Sequence, residues 1–211
     1  MTAPASPPAP PFPPAPLNQP IWGVVLAGGL GRRYGGADKG LQCLGGVPLA
    51  RRVALTLAPQ VSALAINANR HPDIYGAWGY PVFGDQRPDY PGPLAGLLEA
   101  LGRSPYPWVA AAPCDTPFLP PDLVARLAQA LAENPGEVAA VRSGGREHPL
   151  CCLCSTTLAA PLGAYLDGGG QRVLAWLASR ATRWVEFPDP ENFRNLNTPA
   201  DLAAADLGKG Q

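Results

Sequence analysis

The sequence predicts a three-layer α/β fold: a mostly parallel β-sheet with helices packed on both faces. Three observations predict it. Short apolar runs recur along the chain, stretches with helical apolar spacing separate them, and glycine, proline, asparagine or aspartate closes most runs. Strands alternating with helices in this way build βαβ units, whose sheet is covered by helices on either side.

Each element follows in order. Ile21–Leu26 is an apolar run that reads as a buried strand feeding Ala27-Gly28-Gly29. Residues 48–57 place Leu49, Val53 and Leu57 at i, i+4 and i+8, on one helical face. Ala63–Asn67 is a second strand, and residues 80–83 a short third that ends near Asp85. Leu94, Leu97, Leu98 and Leu101 mark another amphipathic helix, and residues 108–112 a fourth strand running into Pro113-Cys114-Asp115. Pro121 is expected to open the next helix at its first position, with Leu123, Leu127, Ala130 and Leu131 on its inner face. A fifth strand spans 138–141, and a hairpin over 142–153 turns at Ser143-Gly144-Gly145. Helical segments at 157–166 and 172–178 precede a strand at 184–187. Finally, Thr198 is a plausible N-cap, Pro199 the first helical residue and Asp201 the acid of a capping box.

Right-handed crossovers carry the C-terminal ends of parallel strands to one edge, and open α/β sheets bind ligands there. That edge would gather Gly28, Gly29, Asn67, Asp85 and Asp115 from distant parts of the chain.

Composition sets bounds on partners. The 211 residues suggest one domain over 21–207, with tails at 1–20 and 208–211. The first tail is proline-rich and uncharged, so a disordered, polyproline-like chain is expected. Sixteen basic residues balance sixteen acidic ones, which leaves no basic excess to drive nucleic-acid binding. No run of about 20 apolar residues suggests a membrane span, and the proline-interrupted N-terminus does not resemble a secretory signal. Five cysteines, an odd number, argue against a disulfide framework and for a reducing cytoplasm. Cys151, Cys152 and Cys154 lie in an apolar run without a second pair or a nearby histidine, so they read as strand residues rather than metal ligands.

The chemistry concentrates after the first strand, in Leu26-Ala27-Gly28-Gly29-Leu30-Gly31-Arg32-Arg33-Tyr34-Gly35-Gly36-Ala37-Asp38-Lys39-Gly40. Glycines let the backbone approach an anion and turn its N–H groups inward. Arginine supplies forked donors and lysine a point charge, so the segment reads as a polyphosphate cradle. Lys39 is the only lysine in the body of the chain, the other being Lys209. A P-loop is excluded because Lys39 is followed by Gly40 and no hydroxyl residue stands nearby for Mg²⁺. A dinucleotide fingerprint is excluded because Tyr34 stands where its last glycine belongs, and the second strand ends at Asn67 rather than at an acid.

The loop resembles the signature of nucleotidyltransferases with a Rossmann-like fold, specifically the molybdenum cofactor guanylyltransferases. The resemblance continues through Asn67-Ala68-Asn69-Arg70, Asp85, residues 89–96, Pro113-Cys114-Asp115-Thr116-Pro117, residues 120–123 and Asn195-Leu196-Asn197-Thr198-Pro199, covering 21 to about 203. It implies transfer of GMP from GTP to the phosphate of molybdenum-bearing molybdopterin, with release of pyrophosphate and Mg²⁺ as cofactor. Molybdoenzyme-maturation proteins are candidate partners.

The resemblance also implies roles by position. Leu26, Ala27 and Gly28 would meet guanine and ribose, and Gly29 and Gly31 the triphosphate. Arg33 and Lys39 would neutralise the β- and γ-phosphates and the leaving pyrophosphate. Asn67 and Asp85 would contact the nucleoside. Asp115 would bind the nucleotide's Mg²⁺, with Asn197 as a second oxygen ligand. Tyr90, Gly92, His148, Arg172 and Asn195 would meet the pterin substrate. Two positions depart from the family pattern, Tyr34 in place of Met and Leu150 in place of Thr. The proline-rich tail lies outside the pattern and is expected to be dispensable. Competing readings are a CTP- or sugar-phosphate-specific nucleotidyltransferase and a non-catalytic nucleotide-binding module.

Overall fold

The computed structural model describes residues 18–29, 36–86 and 92–207. The tails at 1–17 and 208–211 lie outside the described residues. A seven-stranded sheet forms the centre. In chain order its strands are β1 (Ile21–Leu26), β4 (Ala63–Asn67), β5 (Val82–Phe83), β6 (Trp108–Pro113), β7 (Val138–Ser143), β8 (Arg146–Ser155) and β9 (Thr182–Phe187). They lie side by side as β5-β4-β1-β6-β8-β7-β9. Strand β8 runs antiparallel to both of its neighbours, and every other pair in the sheet is parallel.

Alternation along β1 builds the three layers, because successive side chains of a strand point to opposite faces. Ile21 and Val25 face helices α1 (Leu49–Leu57) and α4 (Leu123–Glu133), along with Tyr75 of the short helix α2 (Pro72–Gly76). Trp22, Val24 and Leu26 face α3 (Pro93–Arg103), α5 (Ala159–Asp167) and α6 (Val173–Ala178). A satellite core of Leu44, Leu49, Leu196 and Ala205 lies apart from both. It joins the last helix, α7 (Pro199–Leu207), to a small hairpin of β2 (Cys43–Leu44) and β3 (Val47–Pro48). That hairpin turns at Gly45 and Gly46, whose φ angles of +58° and +74° suit glycine.

The expected hairpin after β7 forms, with the two-residue turn Gly144-Gly145 pairing Ser143 with Arg146. Cys151, Cys152 and Cys154 are buried strand residues of β8. The capping box also forms: Thr198 Oγ1 accepts from the Asp201 N–H at 3.1 Å, and Asp201 Oδ2 accepts from the Thr198 N–H at 2.8 Å.

Several boundaries differ from expectation. Helix α4 begins at Leu123 rather than Pro121, because Gln60 Oε1 caps the Val124 N–H at 2.9 Å from across the structure. Its buried face is Leu123, Val124, Leu127, Ala128 and Leu131, while Ala130 is only half-buried. Pro48 ends β3 and serves as the N-cap of α1 instead of lying in the helix. Helix α2 was not expected; it is five residues long and follows His71, which adopts a left-handed conformation. No helix among the described residues is long and apolar enough to cross a membrane.

Gly23, in the middle of β1, shows how tightly the sheet is packed. A Cβ there would lie 2.7 Å from Leu64 Cδ1 and 2.8 Å from Val61 Cγ2. Gly23→Ala is expected to destabilise the fold by about 1–3 kcal/mol, the usual cost of overpacking. A urea titration should show a lower midpoint at an unchanged slope.

Candidate active site

The C-terminal ends of β1, β4, β5 and β6 open onto one cavity of about 1460 Å³. Its first wall is the backbone leaving β1. Ala27 donates its N–H to the Asn67 carbonyl at 2.8 Å, and Cys114 donates to the Leu26 carbonyl at 3.0 Å, so three strand ends are tied together. Leu26, Ala27, Gly28 and Gly29 all line the cavity. Gly28 has no room for a side chain, since a Cβ would lie 2.9 Å from Asn69 Nδ2 and 3.1 Å from Asn67 Oδ1.

The second wall is a carboxylate held by amides. Asn67 Nδ2 donates to Asp85 Oδ1 at 2.9 Å, and Asn69 Nδ2 donates to Asp85 Oδ2 at 2.8 Å. Asn69 Oδ1 in return accepts from the Asp85 N–H at 2.7 Å, and Asn69 Nδ2 also reaches the Gly28 carbonyl. The Asp85 oxygens are thereby aimed by neutral donors, and each retains acceptor capacity. Asn67 itself is 1% exposed and passes against Gly96 of α3, where a Cβ would collide with its Oδ1.

The third wall assembles a cation between two oxygens. Lys39 Nζ donates to Asp115 Oδ2 at 2.6 Å and to Asn197 Oδ1 at 2.8 Å. Asp115 follows β6. Asn197 is brought beside it by the Leu196 N–H, which donates to the Asp115 carbonyl at 2.9 Å, and by the capping box of α7. Lys39 opens a 3-10 turn capped by Asp38, whose Oδ1 accepts from the Gly40 N–H at 3.0 Å and from the Tyr75 hydroxyl at 2.8 Å. Tyr75 is fully buried; burial first, then the Asp38 charge, pushes its phenol far above the ordinary range. Gly40 is required there because a Cβ would strike the Tyr75 hydroxyl.

The two cysteines that line the cavity are poor nucleophiles. Burial, followed by the charge of Asp115, drives the Cys114 thiol well up, and burial does the same to Cys151, so both stay protonated near neutral pH. Among the described residues no cluster of three or more His, Cys, Asp or Glu could hold a metal ion. The rim includes Gly92, His148, Leu150, Gln171 and Asn195. His148 packs against Phe193 with ring centroids 5.2 Å apart; desolvation, then the Arg146 charge, lowers its pKa below 6.5.

Of the residues expected from sequence, the cavity thus brings together Leu26, Ala27, Gly28, Gly29, Lys39, Asn67, Asp85, Asp115 and Asn197, with Gly92, His148 and Asn195 on the rim. Gly31, Arg33 and Tyr90 lie outside the described residues. Arg172 is the exposed N-cap residue of α6, next to Gln171, which lines the cavity. Sequence reasoning passed over Asn69, Gly96 and Tyr75. Asn69 lies two residues beyond Asn67, on the same side of an extended chain, and a lone glycine inside a helical pattern signals close approach of another group.

A doubly covered sheet of this strand order, with a glycine-bearing strand end and a lysine–carboxylate pair facing one cavity, is the architecture of a nucleotidyltransferase. The chain belongs to the MobA-like NTP transferase domain family, whose model matches residues 23–182. It is 46% identical to a molybdenum cofactor guanylyltransferase of Cupriavidus taiwanensis over 87% of this chain and 95% of that protein. A namesake from Cupriavidus necator is also 46% identical, over 86% and 94% of the two chains. The fold superposes on the crystal structure of molybdopterin-guanine dinucleotide biosynthesis protein A from Archaeoglobus fulgidus with a TM-score of 0.74, at 21% identity, over 89% and 98% of the two chains.

Gly96→Ala isolates the Asn67 contact. Alanine adds about 1 kcal/mol of helix propensity against an overpacking cost of about 1–3 kcal/mol, so the melting temperature should fall by no more than about 8 °C, while the displaced Asn67 should lower kcat/KM for nucleotide by tenfold or more, on the order that misplacement costs. His148 gives a pH prediction. Its folded pKa is depressed, so its neutral form contributes stability above about pH 6.5, and that contribution is lost as pH falls through the unfolded and then the folded value. Between about pH 7.5 and about pH 5.5 the native protein's melting temperature should fall more than that of His148→Gln.

Proposed function

We propose that this enzyme transfers GMP from GTP to the terminal phosphate of molybdenum-bearing molybdopterin. A phosphate oxygen of the acceptor attacks the α-phosphorus, the bond to the α–β bridging oxygen breaks, and pyrophosphate leaves with that oxygen. The observation that carries this reading is the meeting of Lys39, Asp115 and Asn197 in the same cavity as the Asn67–Asp85 pair. The names of relatives 46% identical over most of the chain supply the two substrates.

The donor set fits a divalent cation. Asp115 Oδ2 and Asn197 Oδ1 already converge on one positive charge, the Lys39 ammonium. Mg²⁺ usually takes only one or two protein carboxylates and completes its shell with substrate phosphates and water. Bound to Asp115 and Asn197, it would supply charge neutralisation on the triphosphate.

The remaining work falls to the chain itself. Leu26, Ala27 and Gly28 present backbone to the guanosine, and Gly29 begins the stretch that meets the triphosphate. Asp85 accepts from N–H or O–H groups of the nucleoside, kept in aim by Asn67 and Asn69. Lys39, joined in this reading by Gly31 and Arg33, offsets charge on the departing pyrophosphate. The acceptor phosphate is anionic near neutral pH, so alignment and electrostatics suffice without a general base. Gly92, His148, Asn195 and Tyr90 are assigned to the pterin side. The reading includes a reducing cytoplasm, which the five unpaired thiols fit, and delivery of product to molybdoenzyme-maturation proteins.

Pyrophosphate release in the presence of molybdopterin and Mg²⁺ tests it. GTP should support turnover and CTP should not; a preference for CTP, or no release with either, overturns the reading. Asp115→Ala should reduce kcat by about 10²–10³-fold, the range for losing one electrostatic anchor. The lost Lys39 pair is a partly exposed one, worth about 1 kcal/mol, so the melting temperature should move by no more than about 4 °C.

A further inference from the structure

One side chain holds main-chain carbonyls of Gly29, Gly36 and Ala37. Arg70, which follows β4, donates from Nη1 to the Gly36 carbonyl at 2.6 Å. Its Nη2 donates to the Gly29 carbonyl at 3.1 Å and, more weakly, to the Ala37 carbonyl at 3.4 Å. The planar guanidinium fork can hold acceptors from two chain segments in fixed relation, which a compact ammonium cannot.

The direction of these bonds matters. In a trans peptide the C=O and the following N–H point opposite ways. Carbonyls of Gly36 and Ala37 drawn to Arg70 therefore turn the N–H groups of Ala37 and Asp38 away from it. The next residues are fixed from the same segment, since Tyr75 holds the Asp38 carboxylate that caps the Lys39 turn. Residues 70–75 thus brace residues 36–40 at two points, and His71 between them sits in the left-handed region with φ 49°. A non-glycine residue in that conformation persists where its surroundings enforce it.

We propose that Arg70 is a positioning residue: it fixes the separation of Gly29 from Gly36 and Ala37, and through it the placement of Lys39, by holding main-chain carbonyls rather than the nucleotide. This rests on the reading of the cavity as a GTP site.

Two measurements test it together. The first is hydrogen exchange of the protein without substrate, followed at the amides of Gly40, Leu41 and Gln42. These bond within the Asp38–Lys39 turn. Arg70→Ala should speed their exchange at least tenfold while the β-sheet amides keep their protection; unchanged rates overturn the proposal. The second is steady-state turnover of GTP for Arg70→Ala, Arg70→Gln and Arg70→Lys. Each should lose about 10–100-fold in kcat/KM, and lysine should rescue no better than alanine.

In a Lys39→Ala background the Arg70→Ala loss should shrink below threefold, the mark of action through Lys39. Rescue by Arg70→Lys would show that charge alone matters and would overturn the proposal, as would losses that add independently. Should the native protein turn over no GTP, the functional reading falls, and the exchange rates alone still decide the role of Arg70.

Discussion

The site depends on one ammonium group held between two oxygens. Lys39 reaches Asp115 across 76 residues of sequence and Asn197 across 158. These bonds join the segment after β1, the end of β6 and the stretch leading into α7. Each side chain is only partly shielded, with 19% and 18% of Lys39 and Asp115 exposed. Such a pair adds little to stability. In the proposed function its value lies in bringing the Asp115 and Asn197 oxygens together at the cavity.

Much of the molecule is arranged to hold those three groups. The parallel strands deliver Asp115 to the sheet edge, and the β1–β6 register pairs Leu26 with Pro113, two residues before it. The buried Asp38–Tyr75 bond fixes the turn that carries Lys39, and Gly40 leaves room for the Tyr75 hydroxyl. Asn197 needs its own small core. Leu196 packs with Leu44, Leu49 and Ala205, and the capping box starts α7 immediately after Asn197. Opposite them, Asp85 is oriented by asparagines rather than by a cation, which leaves its negative charge unneutralised by those partners and, in the proposed function, open to donors of the nucleoside.

What could be read in the sequence divides along physical lines. Period and punctuation mark the seven strands of the central sheet and all the longer helices but not the β2–β3 hairpin or α2, and the convergence of parallel strand ends gathers Gly28, Asn67, Asp85 and Asp115. Asn197 was reachable only through family resemblance, because its position depends on the satellite core and not on a local pattern. Arg70, Tyr75 and Gly96 were not legible as functional. They act by tertiary contact, through a fork on carbonyls, a buried hydroxyl and an absent side chain, and none of these leaves a periodic signal. Gln60 moved the start of α4 for the same reason.

In the proposed function, Asp115 and Asn197 form the cation side of a nucleoside triphosphate site. A crystal of the full chain soaked with Mn²⁺ and a non-hydrolysable GTP analogue tests it directly. An anomalous peak is expected within metal–oxygen bonding distance of Asp115 and Asn197, with the base beside Asp85 and Lys39 moved onto the phosphates. A metal bound elsewhere, or a nucleotide lodged while Lys39 still bridges the two oxygens, would contradict it.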